Sequence, residues 1–305
     1  MIKEFSVAQR VNISIKGECN QKCKDFINLI YKNFEPAITN PQFSLNVNII
    51  DDLPKVENKI SLGKDGYFND DILVLRTGHF FIRENKDTLT VGVPLKVKRG
   101  RVPFKRKTSG RHITDEIIEP LLQLCLLKCS ATFVHASSIC EDEKVKVLMG
   151  WRGTGKTNAI LEDFENKEIW SDDLSIIDSK GFVYPYLRPI RIYSYNLPLL
   201  DKSYVKNNKL KRKKFLTPPW RPVHYLPLNK TNSSKGVLGD FNYLNNVKND
   251  SLETNAQDIM EFEQIFFKNY ELMLKHSGVF KSEVSVKSIL ESAFHERGIC
   301  KNRES

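Results

Sequence analysis

Apolar and polar residues alternate through much of the first third of the chain. In FSLNVNII, Phe43, Leu45, Val47 and Ile49 are separated by Ser44, Asn46 and Asn48, the two-residue period of a half-buried strand. FSVAQRVNISIKG alternates in the same way. DILVLRTGHFFIRENKDTLTVGVP predicts three short strands, with Asn85-Lys86-Asp87 as a turn. QKCKDFINLIYKNF instead carries its apolar residues at helical spacing. Residues 1–112 are therefore expected to form a strand-rich α+β module, and no chemistry is visible in it.

The pattern changes at Thr114. TDEIIEPLLQLCLLKC opens with a Thr cap and acidic residues in its first turn, then becomes apolar, which predicts a helix to about Cys129. ATFVHASSIC and KVKVLMG read as two short strands, TNAILEDFEN as a helix, and EIWSDD as a strand with two aspartates at its end. DLSIID and FVYPY suggest a small hairpin. DKSYVKNNKLKRKKFLTPPWRPV is basic, aromatic and proline-bearing, an exposed loop by composition. Two helices, about 256–276 and 284–297, close the chain. The expected organisation is an N-terminal α+β module over 1–112 and an α/β domain over 113–305.

Composition narrows the class. A chain of 305 residues exceeds the size at which one core usually stops growing, so two domains are expected. Hydrophobic residues at 40% and charged residues at 28% exclude a disordered or collagen-like chain. No apolar run approaches the ~18 residues a membrane span needs. MIKEFSVAQR offers no apolar signal core, and the cysteines suit reduced thiols, so a cytoplasmic protein without membrane partners is expected. Cys125 and Cys129 sit four apart on an apolar helix, as small core residues do. Cys19 and Cys23 could offer two metal ligands, but no second pair at zinc-like spacing follows.

Lys and Arg outnumber Asp and Glu by 47 to 37, giving +10, which favours an anionic partner without naming one. The excess gathers in segments 96–111 and 202–221, the second interleaved with Tyr204, Phe215 and Trp220. Such segments can bind a nucleic-acid strand through phosphate contacts and stacking, or can be solvated loops.

Chemistry becomes visible at Gly150-Trp151-Arg152-Gly153-Thr154-Gly155-Lys156-Thr157, which matches G-x-x-x-x-G-K-[ST], the Walker A phosphate loop, at every fixed position. The glycines let backbone N–H groups curl around phosphate oxygens. Lys156 brings a point charge to the β- and γ-phosphates, and Thr157 offers a hydroxyl to Mg²⁺. An apolar strand precedes the loop and a helix follows it, as the motif requires. Asp172 and Asp173 end the next strand, where carboxylates can hold Mg²⁺ or accept a proton from an attacking hydroxyl. His135 could face the γ-phosphate or be a core histidine. Arg188 and Arg191, in LRPIRI, could clamp phosphate or be solvated.

The segment FVHASSICEDEKVKVLMGWRGTGKTNAILEDFENKEIWSDDLSII resembles the kinase domain of HPr kinase/phosphorylase and its relatives, which share a P-loop core with phosphoenolpyruvate carboxykinase. The shared order is a His-small-small strand, a short hairpin, the phosphate loop, a helix and an Asp-Asp strand end. The resemblance covers about 60 residues, of which the quoted segment is 45, and it ends by about residue 195. It implies an α/β HPr kinase-like P-loop domain over 113–305 and ATP- and Mg²⁺-dependent phosphorylation of a hydroxyl. A Ser or Thr of a protein or peptide is the first choice of acceptor. A nucleic acid such as tRNA, a nucleoside or a free amino acid is the alternative, and a nucleotide-binding switch a third. By position Asp172 matches the family's general base, Asp173 its second carboxylate (assigned to Mg²⁺) and His135 its active-site histidine. Lys156 and Thr157 match the phosphate and metal contacts. Asn158 stands where bacterial HPr kinases usually carry Glu, and the later glycine- and arginine-containing segment linked to phosphorylase activity is not found.

Overall fold

The computed structural model describes residues 1–55, 57, 59–61, 66–69, 73–75, 80–97, 106–150, 154–162, 167–207, 210, 222–229, 231–244 and 285–298. It is a mixed α/β structure with two large mixed sheets and few helices. Contacts divide the chain into two compact units, the first holding Met1–Thr132 and the second beginning at Phe133. That division falls later than the 112/113 boundary expected from composition.

The first unit is built on an eight-stranded sheet. Its strands are β1 (Lys3–Val7), β2 (Val11–Lys16), β3 (Phe43–Ile50), β4 (Ile60–Ser61), β5 (Gly66–Phe68), β6 (Leu73–Leu75), β7 (Phe80–Asn85) and β8 (Thr88–Pro94), in the order β1-β2-β3-β8-β7-β6-β5-β4. Burial follows the sequence period: Phe43, Leu45, Val47 and Ile49 are buried while their neighbours are half-exposed. α1 (Gln21–Ile30) buries Cys23, Ile27 and Ile30 on one stripe, and its N-cap Asn20 accepts the Cys23 N–H at 3.0 Å. It crosses between β2 and β3, which are parallel.

A ribbon of β9 (Lys96–Val97) and β10 (Arg106–Lys107) leads to a helical run. His112–Ile118 is wound as a π-helix, with the Glu119 N–H donating to the Thr114 carbonyl. α2 (Glu119–Lys128) continues it. Leu121, Leu122, Leu124, Cys125, Leu126 and Leu127 are all buried, so this helix is apolar around most of its girth and packs against β2 and β3. That packing places it with the first unit rather than the second.

The second unit's sheet has seven strands: β11 (Ala131–Val134), β12 (Ala136–Glu141), β13 (Lys144–Met149), β14 (Glu168–Ser171), β15 (Ser175–Asp178), β16 (Phe182–Tyr184) and β19 (Gly236–Tyr243). Their order is β11-β15-β16-β19-β13-β12-β14. ATFVHASSIC is thus two strands broken at His135. β11 lies at one edge and β12 five places along, about 24 Å away in a flat sheet. Only His135 joins them, and two Cα–Cα steps span at most about 7 Å. The sheet must therefore curl until its edges approach. β14, at the other edge, returns to β15 through Asp172, Asp173 and Leu174 alone. The two shortest crossings of this seam carry His135 and the Asp pair.

β17 (Ile190–Ile192) pairs with β18 (His224–Leu226) in a separate ribbon. Around these strands run α3 (Lys156–Leu161), the helix α4 (Lys202–Asn207) and α5 (Val286–Glu296), whose Phe294 packs edge-on against Phe241 of β19. α4 occupies part of the stretch expected to be a loop. The helix expected over 256–276 lies outside the described residues. Among the described residues no helix is long and apolar enough to cross a membrane.

Candidate phosphate and carboxylate site

β13 and β19 run parallel and end together, where the Leu244 N–H donates to the Met149 carbonyl at 2.7 Å. Gly150 follows in a place no side chain fits: a Cβ there would lie 2.6 Å from Thr154 Oγ1 and 2.8 Å from the Leu244 carbonyl oxygen. Gly155 takes φ +94°, a left-handed conformation that favours glycine, and α3 starts at the next residue. Lys156 is buried, with Nζ donating to the Gly150 carbonyl, so its ammonium closes the chord between the loop's fixed ends. Trp151, Arg152 and Gly153 lie outside the described residues.

Asp172, leaving β14, is buried. Its Oδ1 accepts from Ser137 Oγ at 2.9 Å and from Thr157 Oγ1 at 3.1 Å, and its Oδ2 lies 3.4 Å from Thr157 Oγ1. Asp173 is left-handed at φ +70°, a conformation Asp tolerates better than most residues but at a cost. That twist turns its carboxylate away from its neighbour's partners. Arg191 NH2 of β17 donates to Asp173 Oδ2, and His135 Nε2 stands 3.9 Å from Asp173 Oδ1. The adjacent carboxylates thus face different company. Asp172 meets the phosphate-loop threonine, and Asp173 meets the histidine and an arginine.

Burial and the neighbouring Asp173 charge push Asp172 up to about 7, against the lowering hydrogen bonds of Ser137 and Thr157. Burial works to raise Asp173 as well, but Arg191, His135 and Lys156 outweigh it and hold that carboxyl below its usual value. Burial, then the charge of Lys156, lower His135 to about 4, so its imidazole is neutral near pH 7. Burial also lowers Lys156, with both carboxylates pulling the other way.

Sequence reasoning named Lys156, Thr157, Asp172, Asp173, His135 and Arg191, and these residues meet. It missed Ser137, although a hydroxyl two positions after His135 in an apolar strand was a usable signal. Behind Ser137, Ser138 Oγ, Ser171 Oγ and Ser175 Oγ form a buried chain with links of 2.5 and 2.6 Å, ending on the Ala136 carbonyl at 3.0 Å. It staples β12, β14 and β15 across the seam. Arg188 is buried, and its N–H donates to the Tyr186 carbonyl at 2.7 Å. Asn158 Oδ1 accepts from Asn196 Nδ2 at 3.0 Å, which ties α3 to the turn after β17.

Of the basic segments, 98–105, 208–209 and 211–221 lie outside the described residues, Phe215 and Trp220 among them. Tyr204 is described, its hydroxyl 3.2 Å from His224 Nε2.

Lys156, Thr157 and one carboxylate are groups that could hold Mg²⁺ and a nucleoside triphosphate. Among the described residues no three His, Cys, Asp or Glu side chains gather into a self-sufficient metal cage. A Thr hydroxyl beside one carboxylate is the kind of partial set Mg²⁺ uses when phosphate oxygens and waters supply the rest. No protein-family model and no curated protein matches the sequence.

Proposed function

We propose that the chain is an ATP- and Mg²⁺-dependent kinase with an HPr kinase-like P-loop core. It transfers the γ-phosphate to a hydroxyl, with a Ser or Thr of a protein or peptide as first choice. One observation carries the reading: a phosphate-loop Lys and Thr share a few ångströms with two carboxylates, a neutral histidine and an arginine. The strand arrangement is in keeping with the resemblance. β13, which feeds the loop, lies between antiparallel β12 and parallel β19, and antiparallel β14 delivers the Asp pair.

In the reaction Lys156 compensates charge on the β- and γ-phosphates. Thr157 and a carboxylate would hold Mg²⁺, and the ion would supply neutralisation of the triphosphate charge. The other carboxylate takes the acceptor's proton. A nucleotide switch has no need of that second carboxylate, which favours transfer over a switch.

The test is incubation of the purified chain with γ-labelled ATP and a lysate separated into protein, nucleic-acid and small-molecule pools. Label entering the protein pool supports the first-choice acceptor. Label in either other pool keeps the kinase and moves the acceptor. Unlabelled pools with no ADP release would overturn the kinase reading.

A further inference from the structure

The adjacent aspartates differ in three independent ways that bear on which one meets the metal and which the acceptor. The first is hydrogen bonding. A Thr hydroxyl that ligates Mg²⁺ uses its oxygen lone pair and must place its proton elsewhere, and outer-shell carboxylates do this for metal ligands. Thr157 Oγ1 donates to Asp172, at 3.1 Å to Oδ1. The second is access. Asp172 is buried and also engaged by Ser137, whereas Asp173 is partly exposed. An acceptor hydroxyl must come within about 3 Å of its base, and only the second carboxylate offers open surface. The third is backbone. The left-handed φ of +70° at Asp173 turns the chain so that consecutive side chains diverge, one to the loop and one to His135 and Arg191.

We propose that Asp172 is the metal-side carboxylate and Asp173 the proton acceptor, the reverse of the assignment that sequence position implies. The inference rests on the kinase reading. The acceptor oxygen forms its bond to the γ-phosphorus as the bond from that phosphorus to the β,γ-bridging oxygen breaks. The bridging electron pair leaves with ADP, and the hydroxyl proton passes to an Asp173 carboxylate oxygen, from which solvent later takes it. Arg191 fixes one oxygen of Asp173, and the other faces His135 Nε2 across 3.9 Å. Ser137 and Thr157 both donate to Asp172 and hold it on the side of the loop.

Calorimetry with a non-hydrolysable ATP analogue, with and without Mg²⁺, separates the roles without relying on turnover. The ratio of the two affinities measures metal coupling. Asp172→Asn should cut that ratio about 10–100-fold, the usual loss when a carboxylate supporting a metal ligand is removed. Asp173→Asn should leave it within about threefold of wild type while transfer of label falls ~10²–10⁴-fold. Thr157→Val should match Asp172→Asn and Thr157→Ser should match wild type, which keeps the test open if the buried Asp172 variant fails to fold. A wild type without metal-coupled binding of the analogue would defeat the kinase reading itself. Metal-coupled binding in wild type that survives in Asp172→Asn or Thr157→Val but collapses in Asp173→Asn would overturn only the exchange of roles.

Discussion

The two units use their polar side chains differently. In the first, several of them are held one to one by partners in the framework. Asn12 donates to the Ile38 carbonyl at 2.7 Å and accepts its N–H at 3.0 Å, Ser14 donates to Asn46 at 2.6 Å, and Gln123 to Thr132 at 2.8 Å. Each pair pins one strand or segment to the next. In the second unit, Lys156, His135, Asp172, Asp173 and Arg191 converge on one another at the seam of a curled sheet, and the two aspartates are pushed in opposite directions, Asp172 up and Asp173 down. Groups whose environments push their proton affinities apart are what acid–base and phosphoryl chemistry needs. On the kinase reading the chemistry falls where regular pairing is interrupted: at His135 between two strands, and at Asp173 with its left-handed backbone.

The largest effect that should separate the units is at Lys156. On the kinase reading Lys156→Ala would remove the charge that meets the β- and γ-phosphates, and transfer should fall by about 10²–10³-fold or more, as when one donor to a transition-state oxyanion is lost. Loss of ATP-analogue affinity in a variant with a native circular dichroism spectrum is the check. Wild-type affinity would remove the phosphate-loop assignment. The side chain is buried, so the fold control matters more here than at an exposed lysine.

Next comes a pure core change in the first unit. Leu45 is fully buried in the middle of β3. Leu45→Ala should cost ~2–5 kcal/mol of stability, read by urea unfolding, while analogue affinity of the folded protein stays within about twofold. A selective loss of affinity without a loss of stability would break the division between supporting and chemical regions.

Much of that division was legible beforehand. FSLNVNII and the 73–94 stretch announced their strands because one face is buried and the other is not, so the two-residue period survives in the sequence. The strand-to-helix turn at 150–156 was legible because its glycines answer to steric demands that few residues meet, as the crowding around Gly150 and the left-handed Gly155 show. The break in ATFVHASSIC was not legible. Every residue of β11 and all but the last of β12 are buried, so the burial period vanishes and nothing marks where one strand ends. Ser137 was missed despite its place two positions after His135, since its role depends on Asp172, 35 residues along the chain and brought beside it by the pairing of β12 with β14. The short helix Lys202–Asn207 was hidden by basic and aromatic composition. Its cap, Asp201 accepting the Tyr204 N–H at 3.0 Å, was the available signal.

A pH effect of intermediate size follows from Asp172. Its folded-state value of about 7 exceeds that of an unfolded Asp, near 4. The folded protein therefore holds this proton more tightly, and the stability it adds is complete below about pH 4 and lost as pH rises through 7. Nucleotide-free protein should lose up to a few kcal/mol, of order 1.4 per unit, across that window. Asp172→Asn should flatten the dependence. Urea midpoints measured at half-unit steps from pH 4 to 8 decide it, and parallel curves for both proteins would show that Asp172 does not carry the shift.

The smallest effect sets two ion pairs side by side. In the first unit Lys128 Nζ binds Glu84, with the ammonium 5.5 Å from the Phe43 ring centre; in the second Arg191 binds Asp173. Glu84 and Lys128 sit on a strand and a helix end and touch no other part of the chemistry described, so their pairing should act on stability alone. Desolvation lowers Lys128 and offsets part of the attraction, and a double-mutant cycle of Glu84→Gln with Lys128→Met should give a coupling of ~1 kcal/mol or less. The same cycle on analogue affinity should give none. If Asp173 receives the acceptor's proton as proposed, the coupling for Asp173→Asn with Arg191→Met should instead appear in transfer rate, because Arg191 donates to that carboxylate. A coupling in stability alone would make the second pair another fixed partner of the first unit's kind, and the seam would lose its claim to orient Asp173 for chemistry.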